Sequence, residues 1–122
     1  MQINYDFLLS QGVGAPSEPV VVVGEEVKRG QLIAKCPDGK LGQNIHASIY
    51  GVVESIDDKK ITIKANEEQD DKFVELTSTE PIDLVREAGI VGLGGAGFPT
   101  HVKLGKPFEK GGVLLINAAE CE

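Results

Sequence analysis

The segment Gly92–Gly97, which reads GLGGAG, is the part of the sequence best suited to bind a ligand. Its four glycines allow positive φ and let backbone N–H groups approach an anionic or planar ligand without side-chain obstruction. A helix beginning near Thr100 would point its positive end at a phosphate, and Lys103 would add a charge-assisted contact. The segment satisfies G-x-G-x-x-G, but a helix precedes it and Pro99 follows, so the dinucleotide fingerprint fails on context. Glycine count alone leaves two interpretations open, a ligand-binding loop and a tight packing loop that binds nothing.

The side chains that bind metals are few and widely spaced. Cys36, His46, His101 and Cys121 are four potential ligands, but no two of them lie two to five residues apart, as zinc sites usually require. The sequence has no C-x-x-C run, so an iron–sulfur cluster held wholly within this chain is not expected. Two cysteines make no disulfide framework either. We predict no metal site.

The first part of the chain, from Pro19 to about Leu76, predicts short strands separated by turns. Many short strands at regular spacing are typical of a small all-β barrel or sandwich. The stretch Asn66–Lys72 carries four acids and no apolar residue, which predicts a solvated loop. The predicted strands are Val20–Val23, Gln31–Cys36, Ile45–Ile49, Val52–Ile56 and Ile61–Ala65.

A short helix and one further strand are predicted in the second part of the chain. Ser78 or Thr79 would cap the helix, Pro81 suits its first turn, and Gly89 is placed to end it. A buried strand is expected at Val113–Ile116. The residues expected on the packing face of the helix are Ile82, Val85 and Ala88. One helix, one loop and one strand cannot make a self-sufficient α/β domain, so we expect this part to be the opening of something longer.

The charge and hydropathy of the 122 residues exclude two classes of partner. Nineteen acids against twelve bases give a net charge of −7 without a basic stripe, a poor match to nucleic acid phosphates. The longest apolar runs fall far short of the ~20 residues that a membrane helix needs, so no direct membrane insertion is expected. The first ten residues have neither a cationic region nor a small-residue cleavage site. A cytoplasmic location is therefore expected.

The strand region carries the strings VGEEVKRGQLIA and IHASIYGVVESI, the first with Gly24 and Gly30 closing turns six residues apart. From about Pro16 to Ala65 it resembles the barrel-sandwich hybrid of lipoyl- and biotinyl-carrier domains. In a true carrier the modified lysine sits at a tight hairpin between the two halves, and Lys40 lies near that place. Its flanking residues differ from those of carriers, which favours an unmodified loop lysine over a lipoylated or biotinylated one.

The strings GLGGAGFPTHVKL and LLINAAECE resemble motifs of flavin-binding NADH dehydrogenase subunits. These include the 51 kDa subunit of respiratory complex I and, closer, the RnfC protein of the Rnf electron transport complex. Proline reductase-associated and cobalamin reductase proteins belong to the same group. A sandwich-hybrid module followed by REAGIVGLGGAGFPTHVKL is the arrangement of the Rnf C-like group in particular, and the resemblance covers about Gly14 to Glu122.

The resemblance implies a cofactor site for flavin mononucleotide (FMN) and NAD(H). The four glycines would wrap FMN, and Lys103 would reach its phosphate or ribityl side. Phe98 would offer an aromatic face to the nicotinamide or adenine ring, and Asn117 would hydrogen-bond the flavin. Glu120 and Glu122 would form an acidic pair facing the flavin and the NADH sugars. The residues so implied are Gly92, Gly94, Gly95, Gly97, Phe98, Lys103, Asn117, Glu120 and Glu122.

The expected fold is a barrel-sandwich hybrid module followed by the start of an α/β flavin/NADH-binding domain. The expected divisions are an N-terminal extension over 1–14, the module over 15–77, and the incomplete domain over 78–122. The expected function is that of the N-terminal fragment of an NADH-dependent, Rnf C-like electron-transfer subunit, which passes electrons through FMN to an iron–sulfur or other redox partner. The fragment alone is not expected to be catalytic, and iron–sulfur clusters are expected only in parts missing here.

Two alternatives stay open at this point. In the first, the acidic module docks a partner subunit of a redox complex, and the glycine segment is merely its linker. In the second, Lys40 carries a swinging arm. Expected partners are NADH and other subunits of a redox complex. The protein would be either free in the cytoplasm or peripheral on the cytoplasmic face of a membrane.

Overall fold

The computed structural model describes residues 1–115, which form seven short strands followed by two short helices. The strands are β1 (Asn4–Leu8), β2 (Glu18–Pro19), β3 (Glu26–Val27), β4 (Leu32–Lys35), β5 (Ile45–His46), β6 (Gly51–Ile56) and β7 (Lys60–Ala65). The helices are α1 (Pro81–Glu87) and α2 (Thr100–Leu104). None of the helices in residues 1–115 has the length and apolar character needed to cross a membrane.

The strands form two antiparallel sheets that share one core. One sheet has the order β1-β7-β6-β3 and the other has the order β2-β4-β5. Alternating side chains of both sheets enter a single apolar cluster, so the sheets pack face to face. The buried apolar residues are Leu9, Val21, Val27, Ile33, Ala34, Ile45, Ala47, Val53, Ile61 and Ile63. We call these strands and their connections, residues 4–65, the barrel module.

Strand β1 lies inside residues 1–14, which the sequence predicts to be an extension. It pairs with β7 from Asn4 opposite Lys64 to Leu8 opposite Lys60. Asp6 strengthens this pairing, because its carboxylate accepts hydrogen bonds from Lys60 Nζ at 2.6 Å and Thr62 Oγ1 at 2.7 Å. The beginning of the chain is thereby tied to the sheet.

The prediction of a strand at Val20–Val23 is wrong. Pairing with β4 is limited to β2 and one further bond, from Val20 N–H to the Ile33 carbonyl at 2.9 Å. The chain then turns, with Glu25 N–H donating to the Val22 carbonyl and Gly24 at φ +90°. Val22 and Val23 are exposed in this turn. The strand predicted at Ile45–Ile49 is also shorter, since β5 ends at His46.

Helix α1 has the predicted Pro81 start, and Gly89 follows its end at φ +71°. The predicted cap is wrong, because the N-cap residue is Glu80 and it makes no side-chain capping bond. The backbone N–H groups of Thr77 and Ser78 instead donate to the carboxylate of Glu87, both at 2.7 Å.

Two packing predictions for the second part of the chain are also wrong. No residue of α1 is buried, and Ile82, expected on its packing face, is 42% exposed. Val113–Leu115, the described part of the last predicted strand, is exposed and lies in no strand. Its last residue, Ile116, lies outside the described residues.

Candidate functional site

The glycine loop, Gly92–Gly97, is closed at its neck by backbone hydrogen bonds. Val91 and Pro99 form an antiparallel bridge, and Gly92 N–H donates to the Phe98 carbonyl at 3.0 Å. One step outward, Thr100 N–H donates to the Ile90 carbonyl at 3.0 Å. These bonds fix the two ends of the loop, while residues 93–96 at its tip are exposed.

Two glycines at the tip of the loop face open space. A Cβ built on Gly94 or Gly95 would meet no atom within 4 Å in the described part of the chain. Gly94 has φ +75°, which favours glycine, but Gly95 has no such φ. Among residues 1–115, the N–H groups of these two glycines also find no hydrogen-bond acceptor. Neither packing nor backbone conformation therefore explains a glycine at position 95.

The far arm of the loop packs on the barrel module. Val13 N–H donates to the Ala96 carbonyl at 2.6 Å. A Cβ on Gly97 would lie 2.9 Å from the Cα of Gly12, and a Cβ on Gly12 would lie 2.7 Å from the Gly97 carbonyl oxygen. Gly12 and Val13 were not predicted from the sequence. The one available signal was the Gly12–Gly14 pair of glycines outside any predicted strand.

An aromatic ring and lysine side chains lie beside the neck of the loop. Lys103 Nζ is 5.7 Å from the centroid of the Phe98 ring, a cation–π distance. A Cβ on Gly92 would lie 3.8 Å from the same nitrogen, so Lys103 faces the loop. Phe98, Lys103, Val102 and Lys106 line a concavity of about 410 Å³, to which no described residue contributes a carboxylate. This surface is positive and partly aromatic, which suits a planar ligand that carries a phosphate.

A larger cavity, of about 650 Å³, lies between the β4–β5 connection and the helices. His101 lines it from α2, and burial, together with the nearby Arg86 charge, lowers the pKa of this imidazole below its usual 6.5. His101 is therefore neutral at pH 7 and adds no charge beside the loop. Lys40 is exposed at the tip of the β4–β5 connection, where Gly39 has φ +72°.

Cys36 lies next to this connection and its thiol is protonated at neutral pH. Its Sγ donates to the Lys40 carbonyl at 3.3 Å. Burial raises the pKa of the thiol, and the charges of Asp38 and Glu18 raise it further. In residues 1–115 no three His, Cys, Asp or Glu side chains are grouped as a metal site requires. Cys121 lies outside the described residues.

The structure brings together six of the nine residues that the resemblance assigned to the cofactor site. They share the loop, its neck and the adjacent face of α2, and they are Gly92, Gly94, Gly95, Gly97, Phe98 and Lys103. The other three, Asn117, Glu120 and Glu122, lie outside the described residues.

Two family models match the chain, one for each of its parts. The RnfC barrel sandwich hybrid domain matches residues 2–78, and the Nuo51 FMN-binding domain matches residues 85–122. The first match covers more than half of the chain and agrees with the two-sheet module described above.

Several curated proteins are similar over nearly the whole chain. The RnfC-type component of the proton-translocating ferredoxin:NAD(+) oxidoreductase complex of Clostridium ljungdahlii is 44% identical, over 92% of this chain and 28% of the relative. The corresponding component of an ion-translocating oxidoreductase complex of Pseudomonas aeruginosa is 38% identical, over 98% of this chain and 18% of the relative. The Na(+)-translocating counterpart of Acetobacterium woodii is 34% identical, over 93% and 30%. The chain thus spans less than a third of the length of each of these relatives.

Proposed function

The chain belongs to the RnfC barrel sandwich hybrid family, and from this premise we propose that it is the N-terminal part of an NADH-dependent electron-transfer subunit. In this proposal the barrel module presents the glycine loop, and the loop forms one wall of a site for FMN and NAD(H). The natural full-length protein passes electrons between NAD(H) and a redox partner, which carries iron–sulfur clusters. The relatives are subunits of ferredoxin:NAD(+) or ion-translocating oxidoreductase complexes, which supports this assignment.

The observation that carries the proposal is the open glycine at position 95. A Cβ there would meet nothing in residues 1–115, and its φ does not call for glycine, so the fold itself gives no reason for the missing side chain. A glycine of this kind fits a surface that a ligand approaches at backbone distance. The adjacent N–H groups of Gly94 and Gly95, which find no acceptor among residues 1–115, would donate to such a ligand.

Lys103 and Phe98 supply the remaining recognition groups in this proposal. Lys103 holds a positive charge beside the loop and would pair with the phosphate of FMN. Phe98 presents its ring next to that charge and would stack on a nicotinamide or adenine ring. When bound, FMN accepts hydride from NADH and releases single electrons, and the protein positions and shields the two rings. Asn117, Glu120 and Glu122 are proposed to complete the site from the end of the chain.

Titration of FMN into the purified natural protein tests this proposal. Flavin fluorescence is expected to be quenched, with a dissociation constant on the order of 1 μM or lower. The same titration of the 122-residue chain measures how much of the site lies in this part. A natural protein that neither retains nor binds FMN would overturn the proposal.

A second candidate function has an observation in its favour. Three large apolar side chains of the first part of the chain, Val22, Val23 and Phe73, are each more than 60% exposed. Such exposure on an otherwise well-packed module fits a docking surface for a partner subunit. Flavin binding distinguishes the two functions, because an assembly module would form its complex without FMN and would tolerate substitutions at Gly94 and Gly95.

A further inference from the structure

We propose that Gly12 and Val13 of the barrel module are positioning residues for the glycine loop. They fix the arm of the loop that ends at Gly97 and thereby set the angle at which its open tip meets a flavin. This inference rests on the proposed function, which gives the loop its ligand. It adds a role for the barrel module, to which the family resemblance assigns no cofactor residue.

The contacts between the two segments leave no room for side chains. A Cβ on Gly12 would lie 2.7 Å from the Gly97 carbonyl oxygen and 3.0 Å from the Ala96 carbonyl oxygen. Gly12 does not have a positive φ, so this contact, and not its backbone conformation, is what calls for glycine. Val13 N–H adds a directed bond to the Ala96 carbonyl at 2.6 Å. The segment and the loop are therefore held in one register.

The anchoring segment is itself fixed to the β4–β5 connection. Ala15 N–H donates to the Leu41 carbonyl at 2.8 Å. Gly14, at φ +115°, lies so close to Leu41 that a Cβ would be 2.4 Å from that carbonyl oxygen. A Cβ on Gly42 would lie 3.0 Å from the Ala15 carbonyl oxygen. A continuous series of backbone contacts thus leads from the module to the loop, with no long flexible side chain in it.

The loop has two supports of different kinds. The neck bonds at Gly92 and Thr100 hold its ends together but leave its direction free. The contact of Gly12 and Val13 with residues 96 and 97 supplies the direction. Preorganised backbone donors bind better than mobile ones because the ordering cost is met during folding. Disturbing this contact is therefore expected to weaken flavin binding while the neck and the module stay formed.

The test compares Gly12→Ala with Val53→Ala in the natural full-length protein. Val53 is buried in the module core, opposite Ile63 of β7, so its truncation lowers the stability of the module. We expect Gly12→Ala to raise the dissociation constant for FMN about tenfold and to change the visible circular dichroism of the bound flavin. We expect Val53→Ala to lower Tm and to leave both flavin signals unchanged. Equal FMN affinity and an unchanged flavin spectrum in Gly12→Ala would overturn the inference.

Hydrogen exchange of the Gly92 and Thr100 amides separates this inference from the proposed function. If the wild-type protein binds no FMN, the proposed function fails, and exchange still reports how the loop is held. Faster exchange of these two amides in Gly12→Ala, with slow exchange retained in the strands, would support the positioning role. Exchange rates equal to those of the wild type and of Val53→Ala would refute it. The strand amides also show whether Gly12→Ala has folded.

Discussion

The carbonyl oxygen of Asn44 occupies the space beside Gly89, where a Cβ would lie only 2.0 Å from it. Asn44 belongs to the barrel module and Gly89 ends helix α1, so this is a junction between the two parts of the chain. The Asn44 side chain completes it, because Nδ2 donates to the Glu87 carbonyl at 3.3 Å and Oδ1 accepts from Cys36 N–H at 3.0 Å. One asparagine therefore joins the β4–β5 connection to the helix that leads into the glycine loop.

Gly89→Ala is expected to detach α1 from the module. Gly89 and Gly39 have nearly the same φ, +71° and +72°, but a Cβ on Gly39 meets nothing within 4 Å among the described residues. Gly39→Ala is thus the matched control and should cost only the left-handed strain of about 1–2 kcal/mol. Gly89→Ala should cost about 1–3 kcal/mol more, because the Asn44 carbonyl must move. Hydrogen exchange at Leu84 and Ala88, whose amides report α1, measures the difference.

Equal exchange in the two variants would mean that the Asn44 contact contributes nothing to the attachment of α1. Amides of β6 and β7 provide the reference, since they lie in the module and should stay protected in both proteins. Fast exchange everywhere in Gly89→Ala alone would show instead that the junction and the module unfold as one unit.

The sequence predicted the elements whose signals are local. Strands β4, β6 and β7 were found because β-branched runs are bounded by glycine or by acidic turn residues, as at Asp57, which accepts from the N–H groups of Lys59 and Lys60. Helix α1 was found from Pro81 and Gly89 for the same reason. The glycine loop and its resemblance to flavin-binding subunits also lie in one contiguous string.

The sequence could not predict features that depend on partners far along the chain. The run Val20–Val23 has high β propensity, but the structure gives only Val20 a partner, Ile33, and turns the chain after it. Tertiary pairing here overrides propensity. Gly12 likewise carries no local signal, because the reason for a glycine there is a loop more than eighty residues away. Long-range contacts of this kind leave no periodic pattern in the sequence.

Gly95→Val is expected to abolish flavin retention without unfolding the protein. The added side chain enters open space at a position without positive φ, so Tm should change little. The branched side chain would block the surface that we propose for FMN. Glu67→Val, which places the same side chain on an exposed loop of the first part, is the control. A Gly95→Val protein that purifies with its flavin would show that the site lies elsewhere.

Glu87→Gln is expected to make stability less dependent on acid pH. Hydrogen bonds from Ser78 and Thr77 lower the pKa of the Glu87 carboxyl from 4.5 to about 2. Because the folded-state pKa is lowered, the ion contributes stability above pH 4.5, and this contribution is lost as the pH falls towards 2. Wild type should therefore exceed Glu87→Gln in Tm at pH 7, and the gap should close between pH 4.5 and 2. A gap that is constant with pH, or equal to that of the control Glu75→Gln, would contradict this assignment.

Lys103→Gln is expected to weaken FMN binding but not riboflavin binding. Riboflavin has the same ring and ribityl chain as FMN and lacks the phosphate, so the comparison isolates the contact proposed for the Lys103 ammonium. Loss of one charge-assisted hydrogen bond should raise the FMN dissociation constant about tenfold. Lys28→Gln, on an exposed turn of the barrel module, controls for the change in net charge. Fluorescence titrations with both flavins at low and high salt give the four constants required. Equal weakening of both flavins would place Lys103 against the ring system, where its 5.7 Å approach to Phe98 would orient the aromatic side chain and not the phosphate.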